Sequence, residues 1–391
     1  MISRKETLFT RDFILVSLAS LLLFTAFYLL LPTFPVYLTQ QLQVSSTKTG
    51  IALAIYTAMA LVIRPVSGYL IDIHGKRFFY ILSYALFAVI LFFYPLAQTF
   101  MLVLIVRSLH GFSWGVATTT GSTLIVDLVP AHRRGEGIGI FGLSMTIPMA
   151  LGPFIGLKLT QGSAHYNTLF VVSACIGIFA FLLTLMVKCP PISAEVPKKF
   201  VWANLIEKTA IPTAVTLLIT NICYGGLVSF IAIYAMEMGI GHTALFFIVF
   251  AVGITISRVL GGKFFDKNGP KHVSFFGFLC LIGGYILLGQ LPGNTSFLMA
   301  AFFTGLGTGV MMPAFQAMVN NLVLPQRRGA ANSTLFTGLD LGIGLGMLLT
   351  GVLAAKIGLR QTFNLFALIS LAAMLFFLFF TLKHYNKKRC R

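Results

Sequence analysis

Acidic side chains are scarce in this sequence: ten Asp and Glu stand beside 28 Lys and Arg in 391 residues. Charged residues make up 10% of the chain, where soluble domains carry about 25%. Too few charges remain to cover a water-exposed surface, which excludes a soluble enzyme of this length. Disorder is excluded by the opposite measure, since 57% of the residues are hydrophobic. Cysteine is sparse too: Cys175, Cys189, Cys223, Cys280 and Cys390 form no CxxC pair and no metal-ligand spacing. Reduced structural thiols and no bound metal are therefore expected. A Walker-type phosphate loop and a zincin HExxH are both missing, so no ATP site, no other cofactor and no enzymatic activity are expected. Short alternating segments, the mark of a membrane β-barrel, do not occur either.

What the chain has instead is long apolar runs. They recur at roughly 13–38, 47–71, 78–97, 99–127, 135–160 and 167–187, then at 210–237, 243–265, 272–290, 296–322, 330–354 and 360–383. Crossing the hydrocarbon core takes about 20 apolar residues per helix. Twelve helices would leave only short loops, so the expected fold is an all-α membrane protein with almost nothing outside the bilayer. The first run is too long for the core of a cleaved signal peptide and reads as a spanning helix.

The net charge of +18 is distributed unevenly. With the N-terminus inside, inner segments hold 21 of the Lys and Arg residues and outer loops hold four, with Arg64, Arg107 and Arg258 left within spans. This is the positive-inside pattern, which places both termini in the cytoplasm and makes nucleic acid an unneeded explanation for the basic charge. The longest polar stretch, 188–209, contains Pro190, Pro191 and Pro197. It divides an N-terminal bundle (1–187) from a C-terminal one (210–391) that ends in a short basic tail. Within it, Phe200, Val201, Trp202, Leu205 and Ile206 fit either a short helix on the inner membrane surface or an irregular linker.

An internal repeat sets the architecture. Shifting the chain by 194 positions aligns Arg64 with Arg258, Gly68 with Gly262, Asp72 with Asp266 and Gly75 with Gly269. The same shift aligns Gly111 with Gly305, Gly115 with Gly309, Arg133-Arg134-Gly135 with Arg327-Arg328-Gly329, and Gly152 with Gly346. Two halves of six spans share one orientation and are parallel repeats about an axis along the membrane normal. A cleft between such halves can open to either side.

The loop after the second span reads Gly68-Tyr-Leu-Ile-Asp72-Ile-His-Gly75-Lys76-Arg77, echoed by Gly262-Lys-Phe-Phe-Asp266-Lys-Asn-Gly269-Pro-Lys271. Small residues permit close helix approach, and an acid beside basic groups can cap a helix N-terminus. This loop closely resembles the signature loop of the major facilitator superfamily, and the resemblance covers the whole chain. It implies the twelve-helix fold in two pseudo-symmetric bundles, a small-molecule substrate, and a monomer in the bilayer. It also implies a cytoplasmic latch role for Gly68, Asp72, Gly75, Arg77, Asp266 and Gly269. Ile73 stands where the superfamily usually has a basic residue.

The fourth span carries Arg107-Ser-Leu-His110-Gly111-Phe-Ser-Trp114-Gly115. Helical spacing puts Arg107, His110, Trp114 and Thr118 on one face, with Arg107 roughly 12 Å deep. An intramembrane Arg is expensive and normally faces a cavity or a partner, though a satisfied interior group is the plainer alternative. The pattern resembles the superfamily's fourth-helix motif, in which the Arg is linked to proton transfer. His110 replaces the commoner Gln there and would add a titratable group. The fifth span, with Gly139, Pro148, Gly152, Pro153 and Gly156, resembles the fifth-helix motif of drug:proton antiporters, although Pro148 and Leu157 stand where Gly is usual. Plain helix packing accounts for the same small residues.

Asp340 is the one acid well inside a span, about 15 Å from the cytoplasmic end. It suits a proton carrier, a counter-ion to a cationic substrate, or a salt-bridge partner. Tyr28, Asn221, Tyr224, Met312 and Gln316 lie at mid-depth on the first, seventh and tenth spans, which line the cavity in the superfamily. With Arg107 and Trp114 they are the candidate substrate contacts. The reading that follows is proton-coupled efflux of a small organic molecule across a bacterial-type inner membrane, with Asp340, Arg107 and His110 handling protons. Import or facilitated uptake of a sugar or organic anion is the alternative, and a non-transporting sensor a lesser one.

Overall fold

The computed structural model describes residues 8–130, 134–160, 166–189, 206–241, 243–291, 293–323 and 328–388. Side chains at 69, 72, 73, 134–136, 138, 139, 150, 259–268 and 328–330 are outside that description. Within it the secondary structure is helical throughout: α1 (Arg11–Leu30), α2 (Thr33–Gln40), α3 (Ser46–His74), α4 (Lys76–Leu91), α5 (Phe100–Leu128), α6 (Arg134–Thr160) and α7 (Tyr166–Leu185) come first. They are followed by α8 (Ile211–Glu237), α9 (Thr243–Gln290), α10 (Asn294–Asn321), α11 (Arg328–Phe376) and α12 (Leu382–Lys388). Nine helical stretches among the described residues are long and apolar enough to cross a bilayer, and Thr243–Arg258 is a shorter apolar helix. Each of the twelve apolar runs falls mostly on helix, including the last two within the 58-residue stretch Ala331–Lys388.

Helix boundaries follow from local chemistry. Thr10 caps α1 by accepting from the Phe13 amide at 3.2 Å, and Thr99 caps α5 by accepting from Leu102 at 3.3 Å. The first apolar run is not one helix: it breaks at Leu31–Pro32, because a proline cannot donate to the preceding turn. The Thr33 hydroxyl donates to the Leu29 carbonyl at 2.8 Å, across the break. α9 and α11 each contain one residue that leaves helical geometry, Gly269 (φ 73°, ψ 175°) and Gly358 (φ 78°, ψ 161°). Gly75, at φ 85° and ψ 159°, separates α3 from α4 in the same way. A Cβ is strongly disfavoured in that region, so the signature-loop glycines of both repeats are set by backbone geometry.

The molecule divides into two compact units, Met1–Tyr37 with Ala58–Phe200, and Leu38–Thr57 with Val201–Arg391. In the first, α1 packs on α6 and α7, and α4 packs on α5 and α7. In the second, α8 packs on α11, α10 on α9, and α9 on α11. The start of α3 belongs to the second unit, where Gly50 and Gly351 bring the α3 and α11 backbones into direct contact.

The repeat extends from residues to their contacts. A Cβ on Gly115 would meet Ile63 and Ala60, while one on Gly309 would meet Ser257 and Ile254. A Cβ on Gly152 would meet Tyr28, and one on Gly346 would meet Ile222. Each of these three neighbour pairs (Ala60 with Ile254, Ile63 with Ser257, Tyr28 with Ile222) is again 194 positions apart. The same small-residue seams therefore hold together both units.

Candidate functional site

The fourth-span motif assembles inside the first unit. Arg107 is 3% exposed and His110 0% exposed, so the face predicted from helical spacing points inward. The guanidinium of Arg107 lies over the Phe34 ring, 4.9 Å from its centroid, a cation–π contact that in a dry setting is worth about 2 kcal/mol. Phe34 lies at the start of α2, just past the break at Leu31–Pro32. The Tyr94 hydroxyl, in the turn after α4, sits 2.8 Å from His110 Nδ1 and within hydrogen-bonding reach of Arg107. Tyr94 is stacked on Phe170 of α7, with centroids 5.3 Å apart and planes 10° apart, and it meets Phe34 edge-on at 5.1 Å.

On the other side of the imidazole, Phe87 of α4 lies 4.5 Å from His110 and 6.1 Å from Trp114. Trp114 in turn contacts Phe24 at 4.8 Å and Phe27 at 4.5 Å, and Phe27 contacts Tyr28 at 5.2 Å. Arg107, His110 and Trp114 thus form one group, with Tyr28 joined to it through Phe27. Sequence reasoning missed Tyr94, Phe34, Phe87 and Phe170. The neighbouring Pro95 and the short third block point to a turn at Tyr94, but only tertiary packing aims its hydroxyl at His110.

The fifth-span residues do a different job. Gly152 and Gly156 abut Tyr28 and Leu29 of α1, where a Cβ would collide with the α1 backbone. These glycines therefore set the α1–α6 separation. α6 runs as helix through both Pro148 and Pro153; the backbone at Gly139 is also helical.

In the second unit Asp340 lies on α11, half-buried, with its Oδ2 shielded from solvent. On the opposite face of the helix, Gly338 and Gly342 press α11 against Ala214, Leu218 and Asn221 of α8. Asn221 is buried and donates from Nδ2 to its own helix, at the Leu217 carbonyl, 2.8 Å away. Tyr224 stacks on Phe250 at 6.2 Å, and Met312 and Gln316 are half-buried on α10.

At the signature loop, Lys76 pairs with Asp127, joining the start of α4 to the end of α5. Sequence reasoning counted Lys76 as an inner-loop cation and did not find its partner. Arg77 is exposed. The side chains of Asp72 and Asp266 lie outside those described, as do Phe200, Val201, Trp202 and Leu205 of the candidate surface helix or linker, whereas Ile206 is exposed and not helical. The close helix approach expected at Gly68 is not what holds it: among the described residues a Cβ there would meet nothing within 4 Å. Nearby, Asp12 accepts from the Lys188 amide at 2.9 Å and ties the first helix to the chain leaving α7.

Bundled apolar helices whose polar groups face inward, joined by glycine seams that repeat in two units, define an integral membrane protein of the solute-transporter class. The family model of the Major Facilitator Superfamily matches residues 16–295 and 243–390, and the chain belongs to that superfamily. It is a transporter and not an enzyme, and transporters of this family handle small molecules.

Among its relatives is the staphylopine export protein of Staphylococcus aureus, 20% identical over 346 residues, covering 85% of this chain and 86% of that protein. The quinolone resistance protein NorA of the same species is 24% identical over 344 residues, covering 85% and 87%. The fold matches a bacterial homologue of the human lysosomal transporter Spinster in an inward-facing, occupied conformation. That structure has a TM-score of 0.81 and 18% identity over 97% of this chain and 98% of the other. The nucleoside transporter NupG has a TM-score of 0.75 at 15% identity, covering 94% and 99%.

Proposed function

We propose that this transporter exports a small organic molecule in exchange for protons. The observation that carries the reading is the buried Arg107–Tyr94–His110 group. A cation held in the interior at such cost, with a titratable imidazole one helical turn away, has an electrostatic task. The efflux relatives point to the same direction of transport. Asp340 supplies a carboxylate at mid-depth in the other unit, and it is read as the group that loads and releases the exchanged proton. Tyr28, Trp114, Asn221, Tyr224, Met312 and Gln316 are read as substrate contacts, with Arg107 shared between both tasks.

In this reading the twelve apolar runs span a bacterial-type inner membrane. The bundles 1–187 and 210–391 are joined by the cytoplasmic segment 188–209, and both termini are cytoplasmic. A monomer works by rocker-switch alternating access, with Gly68, Asp72, Gly75, Arg77, Asp266 and Gly269 at the cytoplasmic gate. Protonation of Asp340 from the outside neutralises a group whose charge would otherwise hold a cationic or polar substrate, so loading one ligand releases the other.

The test uses purified protein in acid-inside vesicles with a pH dye inside. A quinolone, then staphylopine, is added to wild type and to Asp340→Asn. The expected result is proton loss on adding one of them, absent in the variant. Solute entry with no pH response in either protein would replace antiport by facilitated diffusion.

A further inference from the structure

We infer that Tyr94 is a positioning residue for proton coupling: its hydroxyl holds His110 in one tautomer and orients Arg107 beside it. This rests on the proton-coupled reading above and adds to it a residue that lies outside every motif in the sequence. The hydroxyl lies 2.8 Å from Nδ1, the ring nitrogen of His110 whose role depends on the proton it carries. Where the Arg107 guanidinium donates to the phenol oxygen, the phenol O–H donates to Nδ1 and the ring proton resides on Nε2. When the imidazole takes up a proton at Nδ1, the same hydroxyl turns and accepts from it. One side chain thus serves both protonation states without moving, and each switch also changes what it offers to Arg107.

Aromatic rings crowd the contact between this hydroxyl and the imidazole. From its own helix His110 faces Arg107, and from the segment after α4 it faces Tyr94. Phe87 of α4 touches the imidazole, Phe34 and Phe170 flank Tyr94, and Phe34 underlies Arg107. Tyr94 itself is fully buried, and its ring is clamped by Phe170 and Phe34, so its hydroxyl direction is set by packing. In such low-dielectric surroundings a hydrogen bond to a titrating group is stronger than in water.

The test exploits the two tryptophans of the chain, Trp114 and Trp202. With Trp202→Phe as background, Trp114 reports on His110, because both touch Phe87 and an imidazolium quenches a neighbouring indole where a neutral ring does not. Tyr94→Phe removes one oxygen and keeps the stacked ring, so the fold is retained. The expected result is a fluorescence titration that His110→Gln abolishes and Tyr94→Phe moves by at least half a pH unit, roughly threefold in proton affinity.

Quinolone exchange driven by a pH gradient gives the second readout. Tyr94→Phe is expected to lower kcat several-fold with KM unchanged and to shift the pH profile by the same amount. In a His110→Gln background, which cannot titrate, Tyr94→Phe is expected to shift nothing further. A titration of Tyr94→Phe that superimposes on its parent overturns the positioning role while leaving proton-coupled export standing. A wild type that exchanges no solute against protons overturns the export reading and the transport role of Tyr94 together, whatever the fluorescence shows.

Discussion

Arg107 shows how far a single side chain can be read from each level of description. Its presence in an apolar run marks it as costly, and helical spacing supplies its companions His110 and Trp114. The reason it can stay there is tertiary: a flat guanidinium over Phe34 at 4.9 Å, with Tyr94 at its edge. Lysine keeps the charge but has neither the planar face nor the fixed fork of donors. Arg107→Lys is therefore expected to lower pH-driven quinolone exchange about tenfold or more in the vesicle assay while leaving protein yield near wild type. Unchanged exchange would mean that charge alone suffices. Asp340 is legible to the same degree. The sequence marks it as the lone mid-span acid, but only packing shows that Gly338 and Gly342, on the opposite face of the same helix, are what seat α11 on α8.

At the scale of helices, the glycines sort into two kinds that the sequence pattern does not separate. Gly75 and Gly269 turn the chain at φ 85° and 73°, where an L side chain is strained. Gly68, in the same motif, has open space around its Cα among the described residues. Gly75→Ala and Gly269→Ala are each expected to cost about 1 kcal/mol or more. Thermal unfolding in detergent should show lowered midpoints for both and an unchanged or raised one for Gly68→Ala, which sits inside α3. A fall at Gly68 equal to the other two would show that it packs tightly in some working conformation. The break at Leu31–Pro32 belongs to this scale as well. The apolar run reads through it unbroken, because hydropathy is blind to a missing N–H. Phe34, the ring beneath Arg107, lies just beyond that break.

For the whole molecule, composition made the membrane legible, the charge bias predicts the orientation, and the 194-residue offset made the two-fold repetition legible. The orientation has its own test. Green fluorescent protein fused after Arg391 is expected to fluoresce, and alkaline phosphatase fused there to be inactive, since only the first matures in the cytoplasm. The reverse pattern would invert the topology. By itself, then, the sequence determined the solvent the chain lives in, its helical class, its internal repeat and the short list of polar groups worth noticing. These depend on counts and periods, which survive without coordinates. Tertiary structure decided which of those groups meet: that Tyr94 reaches His110, that Lys76 finds Asp127, and that Gly152 and Gly156 seat α6 on α1. Each of these contacts joins residues from different elements, and the direction of a side chain across such a gap is fixed by packing, which no local pattern encodes.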